Sequence, residues 1–320
     1  MSQFLSNCTA DAMLDAASHL NAGDLVAFPT ETVYGLGADA SNSKAVARIY
    51  SVKGRPNDHP LIVHIASMER MGDWASDVPE YAIALARSFW PGPMTLILKR
   101  SELAGDFITG GQDSVGVRVP DHVVALALLE AFERSGGKGI AAPSANRFGH
   151  VSPTTATAVI EELGDFLSKD DLVLDGGACA VGVESTIIDC TGRAPQVLRP
   201  GAVSVRMIEE STGLKVVENS LGTEIRTSGS LDSHYAPNAN VILDATPKAG
   251  DGLIAMKGTE TPINVQRLAS PINHEEFAHV LYAALRLADQ MKLVNVVVIQ
   301  PQGDGIATAI RDRLKKAASG

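Results

Sequence analysis

Apolar positions along the chain switch repeatedly between two periods, and the switches predict the order of elements. Met13, Ala16, Ala17 and Leu20 recur at helical spacing and Gly23 follows them, so 9–20 reads as an amphipathic helix with a glycine stop. The short apolar run 25–28 then reads as a buried strand. Further helices are predicted over 43–52, 79–89, 123–132 and 155–163. Strands are predicted over 61–65, 94–98, 115–120, 140–142, 172–174, 184–189 and 196–201. From 219 to 240 the chain turns to Ser, Gly, Thr and Asp, the composition of a linker. Beyond it, strands at 241–243, 253–256 and 294–299 and helices at 275–291 and 306–317 predict a second, small α/β unit.

Length and composition fit that division. At 320 residues the chain exceeds the usual single-domain size, and 45% apolar residues can fill two cores. The formal charge of −10 argues against a surface built for general nucleic-acid or anionic-membrane binding, so any basic groove has to be local. Cys8, Cys179 and Cys190 have neither zinc-site spacing nor an even count, the usage of plain thiols in a reducing compartment. The N-terminus lacks a basic region followed by a long apolar run, and no segment offers the roughly 20 apolar residues that span a bilayer. A cytoplasmic protein is expected.

The candidate chemistry centres on Lys53-Gly54-Arg55-Pro56-Asn57-Asp58-His59-Pro60, which joins a predicted helix to a predicted strand. A planar guanidinium and a compact ammonium two residues apart suit a polyphosphate better than one carboxylate, although the same residues make an ordinary solvated turn. Arg118 lies within a strand, where a cation needs a partner or a ligand. His64 lies in an apolar strand, where a hydrogen-bonded structural histidine is the commoner outcome. Ser144 and Asn146 leave a strand at alternate positions and can present a hydroxyl and an amide to one ligand, or simply make a turn. Gly35-Leu36-Gly37 fits the dinucleotide fingerprint only loosely, because it does not open a helix after a strand; close backbone approach beneath a ligand is the better reading. The chain has no Gly-x-Ser-x-Gly elbow, no Gly-Lys-Ser/Thr phosphate loop and no His-Glu-x-x-His helix.

Eight blocks in order do carry a resemblance: Phe28-Pro-Thr-Glu-Thr-Val-Tyr-Gly-Leu-Gly-Ala38, Lys53-Gly-Arg-Pro56 with Pro60-Leu-Ile-Val-His64, Trp90-Pro-Gly-Pro93, Val117-Arg-Val-Pro120, Pro143-Ser-Ala-Asn146, Ser152-Pro-Thr154, Glu184-Ser-Thr-Ile187 and Leu198-Arg-Pro-Gly201. Together they resemble the YrdC-like threonylcarbamoyl-adenylate synthases, and the linker with a second domain resembles the long form of that family. The resemblance implies an α/β fold: a YrdC-like catalytic domain over 1–218 with a twisted, mostly open mixed sheet and a concave active-site face, a linker over 219–240 crossing the site, and a small Rossmann-like domain over 241–320. It implies that L-threonine, bicarbonate and ATP become threonylcarbamoyl-AMP and pyrophosphate, the product passing to a separate transferase complex that modifies tRNA adenosine.

Carried over residue by residue, the resemblance places Thr32, His64, Arg118, Ser144 and Ser185 around threonine, with Arg118 as the carboxylate's partner. It places Lys53, Arg55, His59, Ser114, Asn146, Thr154 and Arg199 around ATP, with Tyr235 reaching over the nucleotide. Lys53 and Arg55 form the phosphate clamp, magnesium accompanies the triphosphate without an assigned protein ligand, and no general base is assigned. One departure stands out: where long-form members carry a Ser-Pro-Gly-Met segment, this chain has Ser228-Gly-Ser-Leu-Asp-Ser233, and only His234-Tyr-Ala-Pro237 survives. Two other readings compete. A non-catalytic RNA- or nucleotide-binding protein could use the same cationic hollow, although no stable nucleic-acid complex is expected. A carbamoyl transferase of the hydrogenase-maturation type would need cysteine-paired zinc modules, which are missing from this sequence.

Overall fold

The computed structural model describes residues 5–7, 9–217, 225–227, 229 and 235–320, and of residues 5–7 only the backbone. Ten strands form one mixed sheet: β1 Leu5–Asn7, β2 Val26–Phe28, β3 Gly35–Asp39, β4 Ile62–His64, β5 Met94–Lys99, β6 Ser114–Arg118, β7 Ile140–Ala141, β8 Leu172–Asp175, β9 Thr186–Asp189 and β10 Gln196–Arg199. Their spatial order is β1-β8-β2-β3-β7-β4-β6-β5-β9-β10. The alternation of side chains sends Val26 and Phe28 into one apolar core and Ala27 into another, so the sheet is covered on both faces. On the first face helices Ala10–Ala22 and Val123–Arg134 contribute Met13, Leu20, Leu128 and Phe132. On the other, helix Ser43–Lys53 contributes Val46 and Ile49, beside Trp74 and Leu85.

Local signals explain the helix ends. Thr9 accepts from the Ala12 amide and Gly23 closes the first helix at φ 92, a left-handed turn that costs glycine nothing. Asn42 caps helix Ser43–Lys53 in the same way, and Gly54 ends it at φ 64. That glycine turn is what swings Arg55 out of the helix direction and toward the strand β4.

The Gly35-Leu36-Gly37 segment, read from the sequence as close backbone approach beneath a ligand, lies in strand β3. It pairs antiparallel with both β2 and β7. A Cβ on Gly37 would lie 2.7 Å from Ile140 Cγ2 and 2.8 Å from a Phe28 ring carbon, so packing inside the sheet requires the glycine. Gly35, at the start of the same strand, lines the cavity described below.

Past helix Val205–Thr212 and the linker, four parallel strands, β11 Asn240–Leu243, β12 Gly252–Ile254, β13 Gln266–Ala269 and β14 Asn295–Val298, form a second sheet in the order β11-β14-β12-β13. Leu253 and Val297 face one small core, while Ile254, Val296 and Val298 face another built with helices His274–Gln290 and Ile306–Ala317. That last core also takes in Val33, Val151 and Val183 from loops of the larger unit and Tyr235 from the linker, so the second sheet's apolar interior continues into both. Linker residues 219–224, 228 and 230–234, His234 among them, lie outside the described residues.

Candidate active site

Loops at the ends of β2, β7 and β9 meet around a cavity of about 550 Å³, a volume that includes its opening to solvent. The Thr30–Val33 loop is folded about one hydroxyl. Thr30 Oγ1 donates to the Val33 carbonyl at 2.7 Å, accepts the Thr32 and Val33 amides, and meets Thr32 Oγ1 at 2.9 Å. This turn presents Thr32 to the cavity.

The opposite wall comes from Arg199 at the end of β10. Its Nε and Nη2 both donate to the Ser185 carbonyl, at 3.1 and 2.9 Å, and Nη2 also reaches Ser185 Oγ at 3.1 Å. Ser185 Oγ meets Thr95 Oγ1 at 2.9 Å, so the guanidinium and the hydroxyl fix each other. Arg55 donates from Nη2 to the Pro60 carbonyl at 3.1 Å and lies 5.7 Å over the Phe148 ring, which holds it across the loop it opens. Burial, the main cause, lowers the Arg55 guanidinium to about 10.

Arg118, at the end of β6, donates from Nε to the Gly92 carbonyl at 3.3 Å. Its Nη2 lies 2.6 Å from Glu31 Oε1 in a buried ion pair. His64 stands beside it in register on β4. Burial first, and then the Arg118 charge, push the His64 imidazole down to about 3, so it is neutral at pH 7. Its Nδ1 is buried and has no hydrogen-bond partner among the described residues. The cavity therefore faces a ligand with three guanidiniums, Arg55, Arg118 and Arg199, against one carboxylate, Glu184. A wall of that charge accepts anions, and its neutral imidazole and hydroxyls offer directed hydrogen bonds.

A family model described as telomere recombination, carrying the names Sua5, YciO and YrdC, matches residues 18–201. The chain belongs to this Sua5/YciO/YrdC family. A second family model, the C-terminal domain of threonylcarbamoyl-AMP synthase, matches residues 203–319. A threonylcarbamoyl-AMP synthase of Pyrococcus abyssi is 41% identical over 324 residues, covering 95% of this chain and 93% of the relative. One of Bacillus subtilis is 38% identical over 326 residues, with 95% and 92% covered. The crystal structure of P. abyssi Sua5 complexed with L-threonine superposes with a TM-score of 0.88 at 38% identity, covering 98% of this chain and 97% of that one.

Of the residues singled out in the sequence, Thr32, Arg55, His64, Arg118, Ser144, Ser185, Arg199 and Tyr235 all line the one cavity. The others fall outside its lining. Ser114 lines an adjoining hollow with Gln112, Arg226 and Thr227, and Ile62 borders both spaces. Asn146 donates from Nδ2 to the carbonyls of Arg147 and His150, both at 2.8 Å. His59 meets the Phe148 ring edge-on at 5.4 Å. Thr154 borders a groove with Glu161 and Arg286, and its carbonyl accepts the Cys179 amide. Lys53 is 2% exposed, and its Nζ donates to the Ser144 carbonyl at 2.5 Å and to the Asn146 carbonyl. The ammonium fastens the loop that carries Ser144.

Sequence reasoning missed Glu31, Glu184 and Gly229. Glu31 and Glu184 sit inside quoted motifs, but a carboxylate behind Arg118 and another on the wall of an anion site run against the charge logic that picked out the cations. Gly229 lines the cavity where the linker passes Tyr235, and a Cβ there would lie 2.4 Å from the Tyr235 hydroxyl. Linker residue Arg226 is anchored nearby, donating to Asp58 Oδ2 at 3.0 Å and to the Gly110 carbonyl at 2.7 Å. Among the described residues no group of His, Cys, Asp and Glu could hold a metal ion, and no helix is long and apolar enough to cross a membrane.

Proposed function

We propose that this chain joins L-threonine, bicarbonate and ATP into threonylcarbamoyl-AMP, releasing pyrophosphate. It is an enzyme, a nucleotidyltransferase of the threonylcarbamoyl-AMP synthase type, as are its relatives over nearly their whole length. The observation that carries the reading is one lining shared by two sets of groups: Thr32, His64, Arg118, Ser144 and Ser185 for threonine, and Arg55, Arg199 and Tyr235 for ATP.

The chemistry needs that union. The threonine amine and bicarbonate form a carbamate with loss of water, and the carbamate oxygen attacks the ATP α-phosphorus while the bond to pyrophosphate breaks. Nucleophile and electrophile are both anionic, so cations and positioning govern the rate. Arg118 takes the threonine carboxylate, and Arg55 and Arg199 take the phosphates. Ser114 and Asn146 border the nucleotide from the adjoining hollow and loop, with His59 and Thr154 at its margin, while Lys53 acts by holding the Ser144–Asn146 loop. Magnesium enters with ATP as part of the substrate. The product then passes, in the cytoplasm, to the tRNA-modifying transferase complex, with no stable nucleic-acid complex on this chain. Purified protein given magnesium, ATP, bicarbonate and threonine should release pyrophosphate only when threonine is present; threonine-independent release, or none, overturns the reading.

A further inference from the structure

Glu184 is a buried carboxylate in the wall of a cavity that has to accept anions. Its neutralising cation comes from the other domain. Arg313, on the last helix and wholly buried, donates from Nε to Glu184 Oε2 at 2.7 Å and from Nη2 to the Glu184 carbonyl at 3.3 Å. Tyr282, on helix His274–Gln290, donates its hydroxyl to the same Oε2 at 2.9 Å, and Ser152 donates to Oε1 at 2.7 Å. The same two second-domain side chains hold Tyr235. The Arg313 guanidinium lies 5.5 Å over its ring, and the Tyr282 ring stacks on it at 5.8 Å and 27°. Burial would raise the Glu184 carboxyl, but Arg313 and then Arg199 outweigh it and hold it at about 2, so it is charged at every working pH.

We infer that Arg313 is a positioning residue for the nucleotide, acting through Glu184: it cancels a carboxylate that would otherwise repel the triphosphate. The inference rests on ATP occupying this cavity. It assigns the second domain a part in the site, because the guanidinium that bonds Glu184 directly stands on that domain's last helix.

Calorimetric titration with MgATP tests this without requiring turnover. Arg313→Met should weaken ATP binding by about tenfold or more, as loss of one partner of a buried charge pair does. Arg313→Met combined with Glu184→Gln should return ATP affinity to within about threefold of the parent protein, because the offending charge has gone too. A double variant that binds ATP as poorly as the single variant overturns the inference, since a purely structural arginine gives that result. If the single variant does not fold, the double variant alone decides: it leaves no unpaired buried ion, and near-parental ATP affinity supports the inference while a tenfold loss refutes it. A parent protein that binds MgATP but releases no pyrophosphate refutes the proposed activity and leaves this comparison intact; one that does not bind MgATP overturns both.

Discussion

Glu31 Oε1 and Arg118 Nη2 are 2.6 Å apart, and the two side chains are only 6% and 5% exposed. No hydrogen bond satisfies either Glu31 oxygen among the described residues, so this carboxylate is held by charge alone. A ligand carboxylate at Arg118 has to share or take the cation from Glu31. Glu31→Gln should therefore lower the melting temperature of the ligand-free protein, at a cost of about 2 kcal/mol, and enlarge the upward shift that threonine produces. Thermal melts with and without threonine read both effects; a smaller threonine shift would show that Glu31 helps Arg118 to bind it.

Two of the three arginines on the cavity wall should separate by ligand. Arg118→Ala should abolish measurable threonine binding while ATP binding persists. Arg55→Ala should weaken ATP by about 10²-fold, in the range for losing a charge-assisted contact, with little effect on threonine. Equal loss of both ligands in the Arg55 variant would make that loop a scaffold.

Lys53 makes its visible bonds to carbonyls, not to open space. Lys53→Met should cost about 1.5–3 kcal/mol per lost charged hydrogen bond. The melting temperature should fall steeply, and both ligands should suffer through the displaced Ser144 loop. A variant with unchanged stability and selectively lost ATP affinity would restore the ammonium as a direct phosphate contact.

His64 is held neutral, with a folded value near 3 against 6.5 for the exposed side chain. Between those values the unfolded chain binds a proton that the folded one refuses, so the stability this group contributes is complete above about pH 6.5 and is lost as pH falls. The melting temperature should decline from pH 7 to 5, and His64→Gln should flatten the decline. An unaltered slope in the variant would place the titration elsewhere.

Gly229 has φ 80 and stands against the Tyr235 hydroxyl. Gly229→Ala forces either the linker or the ring to move. ATP affinity should drop about tenfold or more, as when a packed contact is displaced, with threonine affinity within about twofold. Equal weakening of both would mean that the linker borders the whole cavity.

The sequence made the helices and most strands readable because their apolar spacing and caps are local signals. The Thr9 and Asn42 caps and the Gly23 and Gly54 stops lie within a few residues of the ends they set. Strand β3 escaped because Gly-Leu-Gly-Ala-Asp has little strand propensity, and its Gly37 answers to Ile140, far along the chain, as well as to Phe28 on the neighbouring strand. Strand β13 and helix Val205–Thr212 also escaped; the helix buries only Ile208, and the strand's Gln266–Ala269 is nowhere fully buried. In the site, motif order located the cavity-lining arginines and hydroxyls. It could not say that Lys53 turns inward onto two carbonyls, nor that Glu184 would meet Arg313, 129 residues later.

The shared apolar interior bears on how the protein can be taken apart. The two family matches part near residue 202, which invites a cut there. Such a cut would keep all ten strands of the larger sheet, yet it would bare Val33, Val151 and Val183, whose neighbours sit on the far helices. Exposed together, these valines would make the truncated fragment sticky and prone to precipitate, so dissection experiments on this chain call for point substitutions at the seam in place of deletion.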